Sequence, residues 1–184
     1  MLSNEIVLAF CKHSDWAYQC WQIRKHLFDE NPQQPLLKHP HYSYLFTRLA
    51  LILQEHWLQE VAKLHDPATQ GGNPNLSVNY ILQHGAWKPE VHSKIQHLAT
   101  QLEKLSKAIR TARNKLLSHN DLTTILSGTT LGEFDDGVDK EYFENLKTLV
   151  NVIHEEAVGG PFPFDELTEN DVAIFMSAFA KGAT

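Results

Sequence analysis

Cysteine is nearly missing from this chain, whose 184 residues carry only Cys11 and Cys20. Both lie in one apolar-periodic segment, and at about 100° per residue a helix would set them on opposite sides. They cannot then bridge each other, and the absence of a disulfide framework fits a reducing compartment. Glycine and proline are modest at 9 and 8 copies, and 42% of residues are hydrophobic. That balance excludes collagen-like, low-complexity and disordered chains. Long hydrophobic runs are missing too: the longest, Leu49 to Leu53, is far below the ~20 residues a membrane span needs. Met1 to Phe10 holds Glu5 and lacks a basic start, a long apolar core and a cleavage site, so no secretory signal is expected. These absences together predict a soluble, cytoplasmic protein with no membrane association.

Strand signals are also nearly absent, whereas three- and four-residue apolar steps recur from end to end. The length suits one domain, and such a domain buries roughly 70% of the surface its unfolded chain exposes. A first helix is expected from about Ser3 to Phe28, through Ile6, Phe10, Ala17, Cys20, Trp21, Leu27 and Phe28. A second fits Tyr42 to Leu64, through Leu45, Leu49, Ile52, Trp57, Leu58 and Val61. The stretch Asp66 to Pro74, with Gly71-Gly72 at its centre, reads as a loop. A short helix from Leu76 to Gln83 should end on Gly85 as a left-handed cap.

The most regular helix is expected from Pro89 to Leu117, where Ile95, Leu98, Leu102, Leu105, Ile109, Ala112 and Leu116 form a seam. A further helix runs from about Lys140 to Ala157, with Phe143, Leu146, Leu149, Val150 and Ile153 inward. After the turn at Gly159 to Phe164, the Thr168-Glu169-Asn170-Asp171 pattern restarts a helix bearing Val172, Phe175, Met176 and Phe179. The expected architecture is an all-α, antiparallel multi-helix bundle forming one domain over residues 1–184, with 161–184 as a C-terminal helical extension.

Charge is spread unevenly. The chain totals −6, yet residues 88–119 carry +5 and residues 120–184 carry −10. One basic helix thus sits in an acidic protein.

Eleven histidines invite a metal site, but neither His-Glu-x-x-His nor Glu-x-x-His nor Cys-x-x-Cys occurs. His39 and His41 flank a proline, and His92 and His97 are five apart, a poor spacing for one helix face. Scattered histidines are the simpler account, and no metal or cofactor is expected. Gly71-Gly72 lacks the Lys-Ser/Thr of a phosphate-binding loop.

The informative segment is Arg110-Thr111-Ala112-Arg113-Asn114-Lys115-Leu116-Leu117-Ser118-His119. His119 continues the seam after Leu98, Leu105 and Ala112, and Arg113 projects about 100° to its flank. One helix does not align Arg113 with His119, whereas two helices meeting across a two-fold axis gather both pairs. A histidine of near-neutral pKa moves a proton at a ribose 2′-hydroxyl or a leaving oxygen. An arginine beside it meets the charge that develops on phosphate. Asn114 can orient either group, and Lys107, Arg110 and Lys115 attract a phosphate backbone. Cations and a capping histidine at a helix C-terminus also have a purely structural use, so both readings stand on these residues alone.

Arg113 to His119 resembles the signature of the HEPN superfamily, an arginine followed by a polar residue and then a histidine near the end of a long helix. Asn120-Asp121 together with the upstream Asp66 to Thr69, Gly71-Gly72 and Asn75 to Ser77 resembles its abortive-infection AbiU-type branch. The resemblance implies a homodimeric helical bundle with the motif at the subunit interface. It implies a metal-independent endoribonuclease that leaves a 2′,3′-cyclic phosphate and a 5′-hydroxyl, in phage defence or toxin–antitoxin roles. Arg113 would steady the phosphate, His119 handle the proton and Asn114 assist. The same resemblance admits a non-catalytic module that serves a nucleotidyltransferase or antitoxin partner, and the acidic C-terminal third keeps that alternative open.

Overall fold

The computed structural model describes residues 2–112 and 135–182. Apart from one hairpin it is helical, as the periodicity requires: α1 (Asn4–Arg24), α2 (Gln34–Leu37), α3 (Ser43–Leu64), β1 (Thr69–Gln70), β2 (Asn73–Pro74), α4 (Val78–His84), α5 (Pro89–Ala112), α6 (Val138–Ala157) and α7 (Thr168–Gly182). The chain forms two compact units, one of Met1–Asp15 with Leu58–Pro163, the other of Trp16–Trp57 with Phe164–Thr184.

The first unit is built on α5 and α6. Ile95, Leu98, Leu102, Leu105 and Ile109 are buried along α5, and Phe143, Leu146, Leu149, Val150 and Ile153 along α6. The two helices run antiparallel, because contacts join opposite ends. Lys88, just ahead of α5, bonds Glu156 near the end of α6 at 2.9 Å, while the α5 C-terminus lies beside Tyr142 at the start of α6. Val7, Phe10 and Cys11 of α1, Val61, Ala62 and Leu64 of α3, and Val78 and Ile81 of α4 complete this core. Each Val, Leu, Ile or Phe side chain among them, fully buried, contributes about 1.5–3 kcal/mol. After α6 the chain folds back: His154 Nδ1 donates to the Gly160 carbonyl at 2.8 Å, and Asn151 Oδ1 accepts from Phe162 N at 3.0 Å.

The segment expected to be a loop holds a small antiparallel ribbon, with Thr69 opposite Pro74 and Gln70 opposite Asn73. Gly71 and Gly72 both take positive φ, at 58° and 85°, which a two-residue type I′ turn demands of its central residues. Ser77 caps α4 by accepting from Tyr80 N at 3.2 Å. Gly85 corrects the expectation of a left-handed cap: its φ is −76° and ψ 134°, an extended conformation. The glycine is needed for space instead. The Trp87 indole folds back over it, donating from Nε1 to the Ile81 carbonyl at 3.0 Å, and a Cβ at Gly85 would fall inside that ring.

In the second unit α1 does not remain α-helical to Phe28. It widens after Arg24 into a π-helical turn, Lys25–Asp29, held by the Arg24–Asp29 ion pair and by Lys25 to Glu30 at 3.3 Å. Phe28, Leu37, Phe46 and Met176 form the core here, with Tyr42, Ala50, Leu53, Val172 and Phe179 packed against it. The apolar stripe of α7 is thus covered within its own unit, except that Phe175 remains exposed. The sidedness of α3 also differs from expectation. Leu45, Leu49 and Ile52, which marked this helix in the sequence, face water. A second stripe, Phe46, Ala50 and Leu53, is the one turned inward, because its aromatic ring and small neighbour fit against Phe28 and Phe179.

Cys11 and Cys20 are both buried free thiols. Burial pushes the Cys11 thiol up to about 12.

Candidate functional site

The C-terminal end of α5 is where the structure and the candidate motif meet. Arg113, Asn114, Lys115 and His119 follow this helix in the chain and lie outside the described residues. What the structure describes is the platform from which they depart.

Along α5 the seam at 95, 98, 102, 105 and 109 is inward, so the lysines between these positions are thrown outward. Lys94, Lys104 and Lys107 are exposed, and Arg110 is half-buried. Arg110 lies one residue past Ile109 and therefore on the flank of the seam. Its guanidinium is committed to the protein: it pairs with Glu103 two turns back on the same face of the helix and donates to the His65 carbonyl at 3.3 Å. Of the two basic residues assigned to backbone attraction within the described chain, Lys107 is exposed and Arg110 half-buried.

His65 is the residue that sequence reasoning passed over, grouped with the other histidines as scattered. It is only 2% exposed, and its Nε2 shares a 2.9 Å hydrogen bond with Tyr142 Oη. Burial, reinforced by the Arg110 charge, pushes the His65 pKa down to about 3, so the ring is neutral. Burial likewise raises the Tyr142 phenol well above its ordinary range, so it stays protonated. One residue thus ties three elements: its backbone holds the end of α5, its ring holds the start of α6, and its position closes α3. A sequence signal did exist, since His65 follows Val61 and Leu64 on the buried side of that helix.

Next to this junction, Asn75 Nδ2 donates to the Pro67 carbonyl at 2.8 Å and Asn75 N donates to the Ala68 carbonyl at 2.9 Å. Asn79 Nδ2 reaches the Asp66 carbonyl at 3.4 Å. These bonds satisfy the carbonyls of the Asp66–Ala68 stretch and close the hairpin onto α4. On the opposite face of α3, Glu60 is buried between His13, at 3.7 Å, and Lys63, at 2.6 Å. Among the described residues no group of three or more His, Cys, Asp or Glu side chains is arranged to hold a metal ion. Among them, too, no helix is long and apolar enough to cross a membrane.

What this arrangement does chemically is limited and specific. A basic helix is held rigidly at its C-terminal end by an arginine, a neutral histidine and a tyrosine, and the chain then enters the Arg113-to-His119 motif. The AbiU2 family model of HEPN domains matches residues 3–176, a span that contains the motif, the hairpin and both halves of the antiparallel α5–α6 pair. No curated protein and no solved structure matches the chain. On this match the chain belongs to the AbiU2 family of HEPN domains, proteins of the abortive-infection type.

Proposed function

We propose that this protein is a metal-independent endoribonuclease of an abortive-infection or toxin–antitoxin system, acting in the cytoplasm as a homodimer. The observation that carries the reading is the family match over residues 3–176, with Arg113-Asn114-Lys115-Leu116-Leu117-Ser118-His119 directly following the basic helix α5 inside it. In the reaction His119 accepts the proton of a ribose 2′-hydroxyl, and that oxygen attacks the adjacent phosphorus. The bond from phosphorus to the 5′-oxygen breaks as that oxygen takes a proton from water, giving a 2′,3′-cyclic phosphate and a 5′-hydroxyl. Arg113 meets the charge that builds on the phosphoryl oxygens, and Asn114 orients the pair by hydrogen bonding. Lys107 and Lys115 draw the backbone in. Arg110, held by Glu103 and the His65 carbonyl, adds to the local field while anchoring the helix. Two chains related by a two-fold axis bring both copies of the motif into one cleft.

The test is cleavage of RNA in EDTA by wild type, His119→Ala and Arg113→Ala proteins. Removing a general base costs about 10²–10⁴-fold, so His119→Ala should abolish the formation of cyclic-phosphate ends. EDTA-resistant cleavage that is unchanged in His119→Ala refutes the reading.

The net charge of −10 over residues 120–184 favours a second reading, a non-catalytic HEPN module that binds a nucleotidyltransferase or an antitoxin. An inert protein that co-purifies stoichiometrically with such a partner supports it, and robust His119-dependent cleavage by the isolated chain removes it.

A further inference from the structure

Beyond Arg24 the first helix departs from regular geometry in the π-helical turn Lys25–Asp29. Such turns are rare and recur at functional sites. This one borders a cavity of about 250 Å³ that α2 and α3 complete, all within the second unit. Its floor is apolar and buried, made by Phe28, Leu37 and Phe46, with Ala50 packed against the same cluster. The volume lies just below the roughly 300–1,000 Å³ of pockets that hold drug-sized molecules. The space therefore suits a short chain or a single ring.

The polar groups around this floor select the charge of the occupant. Arg24 lines the cavity with its guanidinium over the Phe28 ring, Cζ lying 5.7 Å from the centroid. One terminal nitrogen is taken by Asp29, but Nε is buried and has no hydrogen-bond partner among the described residues. A buried donor left unpaired is costly, and an acceptor brought in by a ligand removes that cost. Lys38 is exposed on the rim. Arg24 and Lys38 against Asp29 leave one net positive charge around the apolar floor. That charge repels a cation, and a neutral apolar molecule offers the guanidinium no acceptor. A phosphate dianion brings one negative charge too many and meets Asp29 with it. A carboxylate matches the charge, and its two oxygens fit the planar edge of a guanidinium.

We propose that this cavity is a binding site for a small carboxylate with an apolar body, the body resting on Phe28, Leu37 and Phe46 and the carboxylate meeting Arg24 and Lys38. The inference does not rest on the ribonuclease reading.

Calorimetric titration of the full chain with octanoate tests it, with octylamine as a probe of the same chain length and opposite charge. Octanoate should bind saturably, one per chain, and octylamine at least roughly tenfold more weakly. Arg24→Gln should weaken octanoate roughly 10–100-fold, the worth of a hydrogen bond to a charged group. Because Arg24 also braces the π-helical turn, Thr47→Trp supplies a second variant. Thr47 is exposed at the rim, so an indole there narrows the cavity while leaving the core alone, and octanoate should again bind more weakly. The absence of saturable octanoate binding overturns the proposal, as does octylamine binding equally well. So does an octanoate affinity that both variants retain, the result expected if octanoate merely adheres to the exposed Leu45, Leu49 and Ile52.

Discussion

The buried His65 makes stability depend on acid in a way that can be worked out. Its ring is 2% exposed and bonded to Tyr142, and its pKa is pushed down to about 3 by burial and by Arg110. In the unfolded chain the same ring has an ordinary pKa of about 6.5. The folded state therefore refuses a proton that the unfolded state accepts. The stabilisation is fully present above the unfolded value and is lost as pH falls from there toward the folded one. Between about pH 7 and pH 5 the loss from this single residue is about 2 kcal/mol, at ~1.4 kcal/mol per pH unit once the unfolded ring is protonated. With a urea m-value of about 2 kcal/mol/M, the denaturation midpoint should drop by about 1 M over that interval. Half-buried His13, also shifted down mainly by burial, acts in the same direction, so the decisive comparison is with His65→Gln. Glutamine keeps a partner for Tyr142 and leaves the backbone carbonyl that accepts from Arg110. The variant should be less sensitive to acid by one proton's worth of slope. If wild type and His65→Gln lose stability in parallel from pH 7 to pH 5, the assignment of a neutral, proton-refusing His65 is wrong.

Two further outcomes follow from the packing. Gly85→Ala drives a Cβ into the Trp87 indole and should cost about 1–3 kcal/mol as the ring is displaced. Calorimetry should show a lowered Tm, and an unchanged one would mean that Trp87 does not lie over this turn. Tyr142→Phe leaves His65 Nε2 without its partner in a buried site and should cost about 1–3 kcal/mol in a urea titration, whereas no loss would show that the pair does not hold α3 to α6.

The helices were legible because their signal is local. Apolar steps of three and four residues define α5 and α6, and the inward residues expected of each between 95 and 109 and between 143 and 153 are buried. The misreadings share one cause, which is that they depend on what lies opposite. Nothing near Leu45 or Phe46 in the chain tells which of two apolar stripes will meet Phe28 and Phe179. Gly85 carries the composition of a left-handed cap, yet its conformation is decided by an indole two residues on. His65 could not be told from its fellow histidines until Tyr142, far along the chain, was placed beside it. The candidate motif was legible as a string because Arg113, Asn114 and His119 fall within one short stretch after a basic helix. The junction of Arg110, Glu103, His65 and Tyr142 was not, since α5, α6 and the turn after α3 assemble it.

The two buried cysteines are distributed one to each compact unit, Cys11 in the first and Cys20 in the second. A thiol that is sealed from water, and in the case of Cys11 also reluctant to ionise, reacts with an alkylating reagent only when its surroundings open. The native chain thus carries two built-in clocks. Mass spectrometry of timed alkylation, read peptide by peptide, would report the opening rate of each unit separately in the unaltered protein. Addition of RNA or a partner that steadies one unit would slow one clock and leave the other running.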